Sequence, residues 1–392
     1  MKLFRLMEIT LCILFSLFLY AMACYYIGIK GLSILPYRNN GYGIMIYWII
    51  YWLISISFVL SILCRIFLSI NNLLTSIFTS IGTVYLAAFF YLMILFPITD
   101  LIKFICEKIG LKGEFINFIS RIYGNGILIF VIIFILIFIG VWKATHPVIT
   151  DYNVNINKNA GKINLLNIVM VSDVHAGITV KEKGIANMVK SINRLRPDIV
   201  FFCGDMVDEN TNSKMKKCLG EASKNIKSKY GIYAITGNHE YIGANLPETL
   251  SYLKRGNVKV LEDRVLKIDN SFYVVGRNDP VSFYKTKEKI KSLEELLKDI
   301  DKSLPIIVLN HQPIDLKAAK KEKVDLQLSG HTHKGQFLPN NFITGLVYEK
   351  DYGYLKKGDF NLIVSSGYGA WGPPIRIGTK GEIVNIRVNF NN

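Results

Sequence analysis

The chain has 392 residues, which is enough for two or three domains, and 51% of them are hydrophobic, a share that a wholly soluble chain rarely reaches. Its net charge of +16 would allow a nucleic-acid partner, but the lysines are dispersed among acidic residues and form no arginine-rich stripe, which argues against one. The six cysteines have the spacing of neither a metal clip nor a disulfide framework. Anionic lipid therefore fits the charge better than DNA does.

Four long apolar runs occupy the first part of the chain, and positions 1–150 carry only four of the 30 acidic residues. Each run reaches or approaches the ~20 residues that a helix needs to cross a bilayer. Tyr and Trp cluster near several of their ends, as they do at a headgroup boundary. We therefore predict a multi-pass membrane domain of about four transmembrane helices over residues 1–145, with the lipid bilayer as its partner. The runs cover roughly residues 9–27, 44–68, 73–98 and 126–141.

The apolar part allows other interpretations. Lys2 and Arg5 precede the first run and Ala21-Met-Ala23 resembles a cleavage site, so this run could be a secretory signal, although its apolar core is long for one. A transporter or receptor that uses the four helices as its working part would need charged residues buried within the spans, and apart from Arg65 near an end we expect none. Residues 100–123, between the third and fourth runs, predict an amphipathic segment on the membrane surface.

From residue 163 onward, short apolar strands alternate with polar helices, which predicts an α/β domain over residues 163–392, preceded by a linker over 146–162. The domain is long enough for a core of two β-sheets flanked by helices. The predicted helices cover residues 182–195, 213–228, 246–254 and 286–300. The predicted strands cover residues 163–171, 199–203, 232–236, 272–275, 305–309, 324–328, 342–347, 362–365 and 383–388.

Five polar turns follow predicted strands, and they contain all the histidines except His146. Each turn comes just after the carboxyl end of its strand, which is the edge of an α/β sheet where ligands bind. The five turns can therefore converge on one pocket. They read Asp173-Val-His175, Gly204-Asp-Met-Val-Asp208, Gly237-Asn-His-Glu240, Asn310-His311 and Gly330-His-Thr-His333.

Seven side chains in these turns could ligate metal ions. Two divalent ions about 3.5–4 Å apart need a bridging carboxylate and several further nitrogen and oxygen ligands. A mixture of carboxylate, imidazole and amide suits Mn, Fe or Zn, so the sequence predicts a site for two divalent metal ions. The seven residues are Asp173, His175, Asp205, Asn238, His311, His331 and His333.

The order of the turns, Asp-x-His, Gly-Asp-x-x-Asp, Gly-Asn-His-Glu, His and Gly-His-x-His, resembles the calcineurin-like metallophosphoesterase superfamily over essentially all of residues 163–392. Residues 230–241 and 367–376, together with the apolar first part, look like its membrane-associated bacterial branch. The resemblance implies an α/β (α+β four-layer) sandwich of two mixed β-sheets flanked by helices. It also implies that the domain hydrolyses phosphoric esters.

The resemblance further assigns roles to residues. Asp205 would bridge the two metals, and His239 would be catalytic without being a ligand, facing the scissile phosphate to stabilise charge or protonate the departing oxygen. One metal would be held by Asp173, His175, Asp205 and His333, and the other by Asp205, Asn238, His311 and His331.

Four further residues have tentative roles. We expect Asp208 and Glu240 to orient neighbouring loops or ligands rather than to act on substrate. Arg376, in a loop rich in glycine and proline, could reach a phosphate oxygen through a bidentate contact or be an ordinary surface arginine. Lys334 stands where relatives often have a glycine, and a solvated side chain is the simplest interpretation.

These features predict a membrane-anchored phosphoesterase that hydrolyses a phosphoric ester or diphosphate bond with water activated by the two metals. The substrate would be a phosphorylated small molecule, lipid or envelope polymer. Basic residues near the spans slightly favour connecting loops inside the cell and the catalytic domain outside the cytoplasm. The alternatives are a lipid-linked nucleotide diphosphate hydrolase of the UDP-sugar-lipid type facing the cytoplasm, and a metal-binding scaffold that retains the fold without catalysis.

Overall fold

The computed structural model describes residues 2–35, 40–68, 73–110, 126–177, 179–209, 211–243 and 245–391. The chain divides into two compact units, Met1–Ile139 and Gly140–Asn392. Long apolar helices make up the first unit, and the second is an α/β sandwich.

Four long helices account for the apolar runs of the sequence. They are α1 (Lys2–Leu32), α2 (Gly41–Leu68), α3 (Leu73–Lys108) and α4 (Ile127–Thr145). Each contains a candidate membrane span by length and hydropathy, as predicted. Many large apolar side chains on these helices are exposed, which is the arrangement expected for a surface that faces lipid. The second unit begins within α4, at Gly140.

An ion pair links α1 to α3. Lys30 Nζ lies 2.6 Å from Asp100 Oδ1, and the Tyr26 hydroxyl donates to the other carboxylate oxygen at 2.5 Å. Asp100 lies beyond the third apolar run of the sequence, which ends at residue 98, but inside the third candidate span, Leu74–Lys108, so this span contains a charged residue. Pairing with a lysine is the usual way in which such a carboxylate is accommodated. The predicted amphipathic segment 100–123 is helical as far as Lys108, and its part from residue 111 onward lies outside the described residues.

Two six-stranded sheets form the framework of the second unit. Their strand orders are β1-β12-β2-β3-β4-β5 and β10-β11-β9-β8-β7-β6. Both sheets are mixed. The antiparallel pairs are β12 with β2 in the first sheet, and β10 with β11 and β6 with β7 in the second. All other neighbouring strands in the two sheets are parallel. The predicted sandwich of two mixed sheets is confirmed. The strands are Val148–Ile156 (β1), Leu165–Val171 (β2), Ile199–Cys203 (β3), Ile232–Ile235 (β4), Val258–Val260 (β5), Arg264–Ile268 (β6), Phe272–Gly276 (β7), Ile306–Leu309 (β8), Leu326–Ser329 (β9), Gly353–Lys357 (β10), Phe360–Val364 (β11) and Glu382–Phe390 (β12).

Alternate residues of the central strands face opposite sides of each sheet, as the two-residue period of a strand requires. In β2, Ile168 and Met170 pack into the core between the sheets, while Val169 and Val171 pack against helices on the outer face. A third apolar cluster covers the outer face of the second sheet. The covering helices are Glu182–Arg194 (α5), Ser213–Ser223 (α6), Asn238–Ile242 (α7), Leu246–Arg255 (α8), Val281–Thr286 (α9), Leu293–Leu297 (α10) and Leu316–Lys321 (α11), and Asn340–Val347 (α12) follows β9.

Two predicted segments differ in the structure. The predicted linker contains β1, which pairs in parallel with β12 over nine residues and buries Val154 and Ile156. Asparagines occupy polar positions in its alternation of apolar and polar residues, and for this reason the sequence pattern did not predict a strand there. Of the helix predicted over 286–300, only Leu293–Leu297 (α10) and Thr286, the last residue of α9, are helical. The chain turns left-handed at Lys287, and the next helix begins only after Ser292, which caps α10 together with Glu295.

The strand predicted over residues 342–347 is wrong, because this segment lies within helix α12. A short apolar run does not distinguish the two states, and here no neighbouring strand is available to pair with it. Strands β5, β6 and β10 are further elements that the sequence pattern did not predict. None of these differences moves the five polar turns.

Candidate metal centre

The five polar turns meet at one edge of the sandwich. The turns after β2, β3 and β4 come from the first sheet, and those after β8 and β9 come from the second. Parallel strands end at the same edge of a sheet, so all five turns are brought together. The predicted ligands Asp173, His175, Asp205 and His311 are at most 1% exposed, and His333 is 8% exposed.

One cluster is formed by Asp173, His175 and His333. His175 Nε2 lies 3.0 Å from His333 Nε2, and His333 Nε2 lies 3.4 Å from Asp173 Oδ1. Asp173 also accepts from the backbone N–H of His331 at 3.1 Å, which ties the turn after β2 to the turn after β9. These ligand atoms lie within 4.8 Å of one another, so one cation can contact all three.

The second cluster contains Asp205, Asn238, His311 and His331. His311 Nε2 lies 3.1 Å from Asp205 Oδ2 and 3.2 Å from Asn238 Oδ1. His331 Nδ1 lies 2.8 Å from the same amide oxygen and 3.3 Å from His311 Nε2. All seven predicted ligands therefore fall into two adjacent clusters.

The protonation of these rings shows why a cation fits. His311 Nδ1 lies 2.8 Å from the carbonyl oxygen of Cys203, so in the neutral ring this nitrogen carries the proton and Nε2 carries a lone pair. That lone pair faces the oxygens of Asp205 and Asn238, which are also acceptors. With the ring neutral these atoms all accept and cannot satisfy one another, whereas a divalent metal satisfies them together. The donor set therefore fits the predicted metal.

His175 is oriented in the same manner. Its Nδ1 lies 2.6 Å from Asp208 Oδ1, which leaves Nε2 free to face the cluster. A carboxylate on the second ring nitrogen is the usual partner of a metal-binding histidine. Asp208 can therefore orient the ring of His175.

Electrostatics divide the four rings into two pairs. Burial disfavours the charged form of each ring, but Asp208 and Asp205 outweigh it and raise the pKa of His175 and His311 respectively. For His331 and His333, burial dominates and a neighbouring histidine adds to it, so the pKa of each is lowered. Burial would raise the pKa of Asp205, but the surrounding histidines, His311 first, lower it, so this carboxylate is ionised.

The backbone is strained where it carries the ligands. Five of the seven predicted ligands have φ between +48° and +68°, a region that residues with a side chain rarely adopt. Such strain concentrates at functional sites that the surrounding fold holds in place. The five are Asp173 (+52°), His175 (+48°), Asp205 (+51°), His331 (+68°) and His333 (+49°).

Two glycines permit the close packing of these turns. Gly204 has φ +88°, and a Cβ there would collide with the ring of His311. At Gly330 a Cβ would collide with the side chains of Ser172 and Asp173. Each glycine thus lets one turn approach a ligand of another.

Glu240 joins the turns after β3 and β4. One carboxylate oxygen accepts from the N–H groups of Gly237 at 2.7 Å and Asp205 at 3.0 Å, and the other accepts from Met206 at 2.6 Å and Val207 at 3.2 Å. Its side chain thus fixes Asp205 and the start of α7, which carries Asn238.

His239 lies beside the clusters and is 8% exposed. Its backbone N–H donates to Asp205 Oδ1 at 2.9 Å, while its ring Nδ1 lies 3.0 Å from Glu209 Oε1. Burial would lower the pKa of His239, but Glu209 and Asp205 outweigh burial and raise it to about 9. Sequence reasoning missed Glu209, although it directly follows Asp208 in the second turn. The exposed ring of Trp371 lies 6.1 Å from the ring of His239, between centroids.

Arg376 is completely buried, so it is not the ordinary surface arginine considered from the sequence. Its guanidinium donates to the carbonyl oxygens of Ser366 at 2.7 Å and Gly369, and one of its nitrogens lies 3.2 Å from Nδ1 of His333. The pKa of His333 is lowered first by burial, then by the charge of His175 and then by the positive charge of Arg376, which thus helps to keep the ring neutral. The geometry suits a residue that holds His333 and the last loop in place.

Lys334 also departs from its expected place. Its backbone is left-handed, with φ +50°, a conformation that glycine adopts without strain. Its ammonium lies over the ring of Tyr352, 4.6 Å from the centroid, so it is held against an aromatic face rather than freely solvated.

Comparison with known proteins agrees with this geometry. The model of the family described as calcineurin-like phosphoesterase matches residues 166–335. An uncharacterized metallophosphoesterase of Campylobacter jejuni is 31% identical over 293 residues, which are 74% of this chain and 76% of the relative. One from Helicobacter pylori is 32% identical over 225 residues, which are 57% of this chain and 60% of the relative.

A transmembrane protein with a metallophosphoesterase domain from Danio rerio is 30% identical over 260 residues, which are 62% of this chain and 57% of that protein. The matched part thus spans only about three fifths of the length of the Helicobacter and Danio relatives. The similarity to the Campylobacter protein extends over most of both chains. The chain belongs to the calcineurin-like metallophosphoesterase family.

Proposed function

We propose that the chain is a membrane-anchored, dimetal-dependent phosphoesterase that hydrolyses a phosphoric ester or diphosphate bond in an envelope- or lipid-linked substrate. The observation that carries the proposal is the convergence of imidazole nitrogens with carboxylate and amide oxygens in two adjacent buried clusters. Such a donor set suits divalent cations. The scaffold alternative predicts missing ligands, whereas all seven are present and in reach of one another.

The two clusters divide the ligands between two ions. Asp205 would be shared, because its Oδ2 lies 3.1 Å from His311 Nε2 in the second cluster and its negative charge also acts on the His175 ring of the first, raising the pKa of that ring after the larger effect of Asp208. When bound, the two divalent ions would activate a water and neutralise charge on the phosphoryl oxygens. The first ion would be held by Asp173, His175, Asp205 and His333, and the second by Asp205, Asn238, His311 and His331.

His239 would provide the proton for the leaving oxygen. Glu209 beside Nδ1 favours a protonated ring, and the other ring nitrogen lies 3.9 Å from Asp205 Oδ2, at the edge of the clusters. A protonated imidazole there donates a hydrogen bond to a phosphoryl or departing oxygen, which is the role of a general acid. Bound cations would lower its pKa again toward the neutral range, where proton transfer is most effective.

Arg376 would act through His333 rather than on substrate. Its donors point to loop carbonyl oxygens, and it is buried. Arg376 therefore suits a positioning role, which replaces the bidentate phosphate contact suggested by the sequence.

The four candidate spans and the transmembrane relative indicate a membrane protein. We propose that the catalytic domain faces away from the cytoplasm. An even number of spans returns the chain to the side on which it began, and the basic residues of the two connecting loops slightly outnumber those flanking the spans on the other side. A substrate held in or on the envelope would be accessible to the domain in this orientation.

The test is hydrolysis by the purified full chain. The protein in detergent or nanodiscs, with Mn, Fe or Zn supplied and its metal content measured, is presented with phosphate monoesters, diesters and diphosphates, including lipid-linked nucleotide diphosphates. We expect about two metal ions per chain and metal-dependent hydrolysis of at least one class. The class that is cleaved separates the envelope-facing proposal from the cytoplasmic alternative.

Asp205→Asn is the decisive variant. It should lose at least one metal ion and all hydrolysis, because one carboxylate serves both ions. Asp299→Asn is the matched control, since the side chain of Asp299 is 83% exposed and lies outside the five turns. Two retained metals with full activity in Asp205→Asn would refute the dimetal assignment, and metal binding without hydrolysis of any ester by the unaltered chain would favour the scaffold.

A further inference from the structure

Helix α12 presents an apolar face to the outside. Its large side chains Phe342, Ile343, Leu346 and Val347 are 57–87% exposed, and no residue of the helix is buried. These four positions are related by i,i+1 and i,i+4 spacing, so they form one continuous stripe. A stripe of this kind in water is an unfavourable surface unless something covers it.

The opposite side of the helix is fixed to the metal centre. Thr344 Oγ1 donates to Asp351 at 2.8 Å, and the backbone oxygen of Asp351 accepts from Thr332, which lies between His331 and His333. Tyr348, the residue after the helix, packs against the ring of His331 with centroids 6.2 Å apart. The helix is therefore a fixed part of the rim, and its apolar stripe faces away from the site.

Backbone hydrogen bonds connect this rim to the end of the last candidate span, in α4. The backbone N–H of Ile377 donates to Gln336 at 3.1 Å, and that of Leu338 donates to Ile377 at 3.1 Å, just before α12 begins. The N–H of Arg376 donates to the carbonyl oxygen of Gly140 at 3.0 Å. Gly140 is the first residue of the second unit and lies in α4, the fourth candidate span.

Residues typical of a membrane interface lie beside this pairing. Trp142 and Lys143, in the last turns of α4, line a cavity of about 400 Å³ together with Lys334 and Lys380. Trp and Lys at the end of a span mark the headgroup region. Lys334 directly follows His333, so within the second unit the headgroup-level residues and the metal centre are neighbours.

We propose that α12, together with the exposed Leu338 just before it, docks into the surface of the lipid bilayer that α4 leaves. The exposed stripe then lies among the lipid headgroups and upper acyl chains, as in interfacial helices, and lysines beside it meet anionic headgroups. A consequence for the substrate rests on the proposed function. The metal centre would act on a phosphoester carried by an amphiphile whose apolar part stays in the bilayer.

Photo-crosslinking tests the docking without reference to activity. The full chain, with Leu346 replaced by the photoreactive p-benzoylphenylalanine, is reconstituted in vesicles of phosphatidylcholine and phosphatidylglycerol, irradiated and examined by mass spectrometry. Leu346 is 87% exposed, so the replacement removes little packing. We expect a phospholipid adduct at position 346.

The matched control carries the same group at Leu165, which is 53% exposed. Leu165 begins β2, at the end of the strand opposite to the turn that holds Asp173 and His175. We expect no lipid adduct there. Equal adducts at both positions, no lipid adduct at 346, or an adduct at 346 to a second copy of the chain would each overturn the proposal.

A kinetic comparison tests the consequence for substrates. We compare Leu346→Asp with Leu165→Asp on an amphiphilic phosphoester embedded in vesicles and on a water-soluble nitrophenyl phosphoester. In Leu346→Asp the ratio of kcat/KM for the amphiphile to that for the soluble ester should fall about tenfold, since a charge replaces a side chain buried in lipid. An unchanged ratio would refute the assignment of amphiphilic substrates. If the unaltered chain hydrolyses neither ester, the proposed function fails, and the crosslink still decides the docking.

Discussion

Glu240→Gln gives a direct test of how the fold holds the metal centre. The two carboxylate oxygens of Glu240 accept four backbone N–H groups, those of Gly237, Asp205, Met206 and Val207. Glutamine has nearly the same shape but replaces one oxygen with an NH2 group, which donates. In either orientation of the amide, two buried N–H groups lose their acceptor and face another donor.

The magnitude follows from those two groups. A buried donor without a partner costs about 1–3 kcal/mol, so the free energy of unfolding of the second unit should fall by roughly 2–6 kcal/mol. For a unit of this size each kcal/mol lowers the midpoint of thermal unfolding by about 2–4 °C, which gives a shift of roughly 5–20 °C. Metal binding should also weaken, because Asp205 and Asn238 lie in the two turns that Glu240 joins.

The assay is the thermal unfolding of the full chain in detergent, followed by circular dichroism after chelation, so that lost metal cannot cause the shift. Glu294→Gln is the matched control: its side chain is 73% exposed, and we expect less than about 0.5 kcal/mol of change. A midpoint for Glu240→Gln within 1 °C of the unaltered chain, under the same conditions, would refute the reasoning. It would mean that the side chain is already protonated in the folded protein or that these four hydrogen bonds contribute nothing net.

Three other predictions concern catalysis, ligand positioning and topology. His239→Gln should keep about two metals per chain, since the backbone N–H of His239, not its ring, holds Asp205. Its kcat should fall by roughly 10²–10⁴-fold. A parallel loss of metal in elemental analysis would make His239 a ligand. Arg376→Lys should weaken metal binding by about 10–100-fold in a metal titration, because one ammonium cannot replace the three guanidinium nitrogens that donate to Ser366, Gly369 and Lys380. Unchanged affinity would contradict the positioning role. Protease added to intact cells, or to spheroplasts where a wall or outer membrane intervenes, should digest the region after Asp151, whereas protection until permeabilisation would place the active site in the cytoplasm.

The sequence was sufficient to predict the fold class and the place of the site. Fully buried strands such as β3 and β8 read as continuous apolar runs, and each is followed at once by a polar turn. Because parallel strands end at one edge, residues more than 100 positions apart, such as Cys203 and His311, could be expected to meet. The order of the turns then predicted the family.

Other features could not be predicted, because they depend on contacts between distant elements. The proton on Nδ1 of His311 is set by the carbonyl oxygen of Cys203, and the burial of Arg376 results from a loop that closes over it. Glu209 has no pattern of its own, and only its contact with His239 gives it a role. Helix α12 has the apolar run of a strand, yet no neighbouring strand pairs with it.

The strained backbone explains why the ligands lie immediately after the most buried strands. Left-handed residues other than glycine cost of order 1–3 kcal/mol each, so the five strained ligands together cost an amount comparable with the net stability of a domain, about 5–15 kcal/mol. Such turns persist only if the residues before them cannot move. In β3, β8 and β9 every residue is buried, and so are the last four residues of β2. A cavity in these strands, as in Phe201→Ala, should therefore weaken metal binding as well as stability, although the side chain of Phe201 packs in the core between the sheets.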